Sequence, residues 1–341
     1  GSGAEGSADG TGTSATFKNP NIATIVGSYL YVADGGNNKI RKIETSTGVV
    51  TTLAGSGAEG SADGTGTSAT FNMPQGITSD GTNLYVTDTS NHTIRKIVIS
   101  TGVVTTLAGY AGYSGTTNAT GTAARFDYPF AITRDGNYLY VADRDNHKIR
   151  RVDKSTGEVT TFAGSGAAGS ADDTGTSATF YAPEGITNDG TNLYVSGTQN
   201  QKIRKIVIET GVVTTLAGSG DTGSADGTGA AASFRYPRAI TSDGTNLYVT
   251  DSNNHSIRKV VISTGKVTTL AGSGSAGSAD GTSTSATFSA PEGIVSDSTN
   301  LYVLDTQNHT IRKIDLSVTE TADLTLHNLD DDTDVTVAVS S

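Results

Sequence analysis

The chain has 341 residues, a formal net charge of −11, 34% hydrophobic residues, 17% charged residues and 43 glycines. That length suits one large all-β unit, and the acidic balance disfavours a nucleic-acid partner, because such binding leans on basic residues that neutralise phosphates. With no cysteine there are no disulfides, thiolate metal sites or cysteine nucleophiles, and no segment approaches the roughly 18 consecutive apolar residues of a membrane-inserted helix.

Residues 1–17 are identical to residues 55–71, which marks recent duplication within the gene. Periodicity dominates the rest of the chain. The six prolines, Pro20, Pro74, Pro129, Pro183, Pro237 and Pro291, all hold one repeat position, and Arg41, Arg95, Arg150, Arg204, Arg258 and Arg312 keep the same spacing. Repeats of about 54 residues are therefore expected at 1–54, 55–108, 109–163, 164–217, 218–271 and 272–326. The second repeat shows the unit. Gly76–Asp80 is apolar-led, Gly81-Thr82 turns, and Asn83–Asp88 alternates, with Leu84 and Val86 on one face and Tyr85 on the other. Thr89–His92 is a loop, Thr93–Ile99 a third strand, Ser100-Thr101-Gly102 a tight turn and Val103–Leu107 a fourth strand.

Four strands in a meander cannot bury both faces alone, and a closed radial ring of like sheets solves this. The first and sixth repeats keep the pattern of the middle ones, unlike the caps of an open solenoid. The expected fold is all-β, a six-bladed β-propeller with four antiparallel strands per blade. The sixth repeat loses its usual ending after Ile314. Asp323–Leu326 is expected to supply its fourth strand, leaving 327–341 as a tail, an edge strand for self-association or the start of a further domain.

Asp88–Lys96 (DTSNHTIRK) recurs as Asp143–Arg151, Asp251–Lys259 and Asp305–Lys313. Preceded by P-x-G-I and N-L-Y-V, this string resembles the NHL repeat, whose signature is Asn-His-Ile/Leu. The resemblance covers roughly residues 1–315, six times over. It implies the propeller fold and leaves function open, because such propellers serve as RNA binders, receptor ectodomains, sensor domains and, rarely, lyases. The first repeat departs with Asn37-Asn38, and the fourth with Asn200-Gln201 and with Gly197 in place of Asp.

In a propeller the G-I-T segment after each proline should line the central channel. The segments between blades and the Asn-His loops then share one face, and the D-G-T-N and S-T-G turns lie on the other. Within the inter-blade segments G-S-A-D-G-T-G-T-S-A-T-F scarcely varies, whereas the residues flanking each proline diverge. Asn21 and Gln75 are among them; the expected ligand-binding set at the channel mouth is Met73, Tyr128, Phe130, Tyr181, Glu184, Arg235, Tyr236, Arg238 and Glu292.

Asp88, Asn91, His92 and Arg95, with Asp143, Asn146, His147 and Arg150, Asp251, Asn254, His255 and Arg258, and Asp305, Asn308, His309 and Arg312, are read as a structural motif. A zinc ion needs ligands converging to about 2 Å. With strands roughly 4.8 Å apart, equivalent histidines on a six-fold ring lie on the order of 10 Å or more from one another. The repeated Asp and Arg are expected to pair across their hairpin as scaffold electrostatics of modest worth. No catalytic residue or cofactor is expected; an acidic loop such as Asp63-Gly64-Thr65-Gly66 leaves room for a structural calcium ion. These readings point to a non-catalytic binding module for a protein or glycan, on an extracellular or cell-surface protein of a bacterium or archaeon. The alternatives are a structural subunit of a surface filament, and a channel-centred lyase or hydrolase.

Overall fold

The computed structural model describes residues 1–316 and the strand Leu326–Asn328. Six separate antiparallel sheets stand around one axis. The innermost strands are Pro20–Val26, Pro74–Ser79, Pro129–Asp135, Pro183–Asn188, Pro237–Ser242 and Gly293–Ser296. Each packs against the innermost strands of both neighbouring blades, the last against the first, so the ring is closed.

The hydrophobic core is shared between blades. Leu84 and Val86, on one face of Asn83–Asp88, pack with Tyr31, Ala33 and Ile40 of the first blade, while Tyr85 on the other face joins Leu139 and Val141 of the third. This is the period-2 alternation of a strand buried on both faces. The boundary between the sixth and first blades has its own cluster, in which Phe17, Leu30 and Val32 meet Tyr302, Leu304 and Ile311.

The inter-blade segments do not stay on one face, as the sequence pattern suggests. In the second blade Gly64–Thr65 adds a short antiparallel strand outside Val103–Ala108, and the Gly66 amide donates to the carbonyl of Gly102 in the turn at the far side. The segment thus descends the blade's outer edge and climbs back. Its glycine-rich middle permits the positive φ of 57° at Gly66 where it reverses. Gly10–Thr11 and Gly227–Thr228 do the same in the first and fifth blades. An outer strand otherwise presents unpaired backbone groups, and this covering strand satisfies part of that edge. The uniformity of the segment follows from its structural work.

The fourth strand of the sixth blade is Leu326–Asn328, paired with Arg312–Ile314, three residues further along than Asp323–Leu326. It therefore includes residues assigned above to the tail. The rest of that tail, 329–341, and with it the expected edge strand or further domain, lies outside the described residues.

Candidate functional site

Two structural devices set the site in place. The first is the repeated Asp–Arg pair. Asp88 Oδ2 accepts from Arg95 Nη1 at 2.8 Å and from Asn91 Nδ2 at 2.7 Å, while Oδ1 accepts the Asn72 amide at 2.7 Å. The other guanidinium nitrogen, Nη2, donates to the Ala62 carbonyl and to Asp63, and the guanidinium lies 5.1 Å from the Phe71 ring centre. Both Asp88 and Arg95 side chains are 0% exposed. The pairing expected across the hairpin is present, and it is fully buried: a latch that clamps the inter-blade segment to its blade. Burial pushes the Asp88 carboxyl up to about 6 against the pull of Arg95, the Asn72 amide and Asn91. The same latch recurs at Asp143–Arg150, Asp251–Arg258 and Asp305–Arg312, and also at Asp34–Arg41. At Gly197 the buried carboxylate is missing, and Arg204 turns its fork to Asp172, which accepts from both Nε and Nη2. The Asp63-type carboxylate is the latch's outer counter-ion, so its loop chemistry is already engaged.

The second device is the histidine. His92 has a left-handed backbone, φ 58°, and its Nδ1 accepts the amide of Tyr128, the residue before the next blade's proline. His147, His255 and His309 accept the amides of Ala182, Ala290 and Asn19. In the departing repeats Asn38 Oδ1 and Gln201 Oε1 take the same part for Met73 and Tyr236. Each pre-proline residue is itself left-handed, Tyr128 at φ 49° and Tyr236 at φ 58°, a cost offset by that bond. The histidines are therefore staples between neighbouring blades, and among the described residues no group of three or more His, Cys, Asp or Glu side chains converges on a metal position.

These staples aim the variable residues. Those before the prolines stand at the rim, where Met73, Tyr128 and Tyr181 are exposed; Arg235 is exposed beside them and Tyr236 half-buried. Those after the prolines point at the axis. Phe130 and Glu184 are buried, so they form the floor of the mouth and not its contact surface. Glu184 accepts from Arg144 Nε at 2.8 Å and lies 3.1 Å from Arg238 Nε; Arg238 also pairs with Glu292, and Asn21 Nδ2 donates to Glu292 at 3.3 Å. Burial pushes the Glu292 carboxyl up, opposed by Arg238 and reinforced by the charge of Glu184. The Arg238 guanidinium lies 5.8 Å from the Phe130 ring centre. A ladder of alternating charge thus runs round the mouth from the third blade to the first, beside a cavity of about 230 Å³ whose walls include Asn21, Met73, Gln75, Phe130, Arg238 and Glu292.

Sequence reasoning missed two features here. At the position of Arg144 the second, fourth, fifth and sixth blades carry Thr89, Thr198, Ser252 and Thr306, whose hydroxyls donate to the carbonyl of the next blade's proline. A lone arginine in that column was the available signal. The other feature is Tyr110 and Tyr113, exposed and in ring contact at 5.1 Å, in the inter-blade segment that departs furthest from G-S-A-D-G-T-G; the fourth and sixth segments change it only at Asp173 and Ser283.

Fold and latch define an NHL-type propeller, and comparison agrees. The NHL repeat profile matches residues 71–97. NHL repeat-containing protein 2 of Bos taurus is 31% identical over 85% of this chain, which spans 45% of that protein. The chain is thus an NHL-repeat β-propeller that covers less than half the length of this curated relative. Among solved structures, an auxiliary nutrient binding protein from Bacteroides thetaiotaomicron superposes with a TM-score of 0.66 at 20% identity, over 87% of this chain and 69% of that one. A chain of a nidogen/laminin complex gives 0.60 at 17% identity, over 85% and 90%. At such identities the likeness is one of fold.

Proposed function

We propose that this propeller is a non-catalytic binding module, presenting the channel mouth to a protein or glycan outside the cell. The carrying observation is where the repeats diverge. Near-identical copies differ most at the residues flanking the prolines, and staples and latches bring those residues together at one mouth. Exposed Tyr128, Tyr181 and Met73 are amphipathic or adaptable contact residues. A non-catalytic reading is supported by the state of the titratable groups. Glu184 and Glu292 are held by arginines, and the histidine Nδ1 atoms are occupied as acceptors of backbone amides. The nutrient-binding and nidogen/laminin relatives illustrate binding by such propellers. A screen of immobilised glycans and secreted proteins tests it, with the chain and its Tyr128→Ala/Tyr181→Ala variant side by side. Saturable binding lost in the variant supports the reading; an empty screen, or binding indifferent to the variant, counts against it.

A further inference from the structure

The first blade has glycine in the column that holds Thr89, Thr198, Ser252 and Thr306 in four other blades. A β-carbon on Gly35 would sit 3.1 Å from the Pro74 carbonyl oxygen and 3.9 Å from Gln75 Oε1. The hydroxyl that reaches a proline carbonyl elsewhere has no counterpart there, and the space it would fill belongs to the cavity at the mouth. Two residues of that cavity's wall, Asn21 and Gln75, carry acceptors, Oδ1 and Oε1, that are buried without a hydrogen-bond partner, the residues being only 4% and 7% exposed. The orientation of Asn21 is set by its amide nitrogen, which donates to the Glu292 carboxylate, so its oxygen must face away from that group. A buried acceptor left unpaired is costly.

We propose that this cavity receives a neutral, hydroxyl-bearing end group of a glycan, whose hydroxyls donate to Asn21 Oδ1 and Gln75 Oε1. The assignment rests on the binding-module reading and narrows its ligand class. Charge argues for neutrality. Arg144 and Arg238 are matched by Glu184 and Glu292 in direct ion pairs, so a charged ligand would have to compete with those pairs. The walls argue for a sugar ring over a bare polar group. Exposed Met73 offers apolar surface beside the two acceptors, above the buried ring of Phe130, which suits a ring with carbon–hydrogen faces and polar edges.

The test uses the full chain and five probes, the methyl glycosides of glucose, galactose, mannose and N-acetylglucosamine, with propylammonium as the charged comparator. Binding is followed by calorimetry and by side-chain amide NMR. At least one glycoside is expected to bind and to shift the Asn21 and Gln75 signals. Gly35→Ser restores the missing hydroxyl and should weaken that glycoside by about tenfold or more, the scale of a lost buried hydrogen bond plus lost space, with thermal stability kept or raised. Gln75→Met, which keeps the volume and removes the acceptor, should weaken it similarly and guards against a misfolded Gly35→Ser. The assignment is overturned if no glycoside binds, if propylammonium binds more tightly than every glycoside, or if both variants bind like the parent. Should a ligand from the wider screen depend on Tyr128 and Tyr181 yet ignore Gly35→Ser and Gln75→Met, the module reading stands and the cavity assignment falls.

Discussion

The amide of Tyr128 and Nδ1 of His92 meet at 3.1 Å across the boundary between the second and third blades, and their rings contact edge-on at 5.4 Å. One bond joins two residues in left-handed conformations, so it holds both the Asn-His loop and the pre-proline corner. What matters is an acceptor at that point, since Asn38 and Gln201 perform the same service. His92→Ala should cost about 1–3 kcal/mol through the unpaired amide, and His92→Asn should recover most of it. Urea midpoints of the three proteins check this.

The same bond requires a neutral imidazole. Burial lowers the His92 value below its ordinary 6.5, against the pull of Asp127 and Asp145. A base whose folded value is lowered contributes stability that is fully present above the unfolded value and is lost as pH falls through the folded one. Unfolding midpoints measured on either side of that window should therefore fall more on acidification in the parent than in His92→Asn. Direct NMR titration of the ring should place it below 6.5.

The latch gives a contrast between blades. Arg95 has both Asp88 and Asp63, whereas Arg204 has Asp172 and no carboxylate at Gly197. Asp63→Ala leaves Arg95 paired inside the blade and should cost about 1 kcal/mol or less. Asp172→Ala leaves a buried guanidinium with no carboxylate and should cost about 3–5 kcal/mol. Equal effects in chemical denaturation would show that the outer carboxylates carry no more weight in one blade than in the other.

At the opposite face Asp80 caps its turn. Burial would raise its carboxyl, but the amides of Asn83 and Thr82 and the Tyr85 hydroxyl outweigh that and hold it well below the usual range. Asp189, Asp243 and Asp297 are lowered in the same manner. A lowered carboxyl contributes stability above its unfolded value that is lost as pH falls through the folded one, so these turns weaken in strong acid. The partner tyrosines move the other way. Tyr302 is pushed up to about 12 by burial and by Asp297, and Tyr85, Tyr194 and Tyr248 are pushed higher still. Absorbance titration should show these four, together with Tyr31 and Tyr140, which burial also raises, ionising late, and Asp80→Asn should return Tyr85 toward the ordinary value.

Ring, blade count and strand order are legible in the sequence because every repeat votes for the same answer. Six prolines in one column and alternation in Asn83–Asp88 leave little else to build. The latch was legible as a pairing, and its burial was not. Asp88 and Arg95 look like surface residues until the inter-blade segment is known to fold down over them, and that depends on Gly64–Thr65 finding an edge in the same blade. The floor of the mouth was the least legible part. Whether Arg238 meets Glu184, Glu292 or solvent is decided by radial distance, which no one-dimensional spacing encodes. Arg144 and Gly35 were nevertheless visible as the two exceptions in a column of hydroxyls.

Residues 1–17 lie between the sixth and first blades as the identical residues 55–71 lie between the first and second, so the boundary that closes the ring is built like the one after it. The His309–Asn19 staple matches the one from His147 to Ala182. Tolerance of circular permutation is the consequence: joining residue 1 to residue 341 through a flexible linker and reopening the chain at Gly55 or Gly109 should give the same ring. A gene assembled from interchangeable cassettes can thus alter one sector of its mouth while the remaining five hold the geometry.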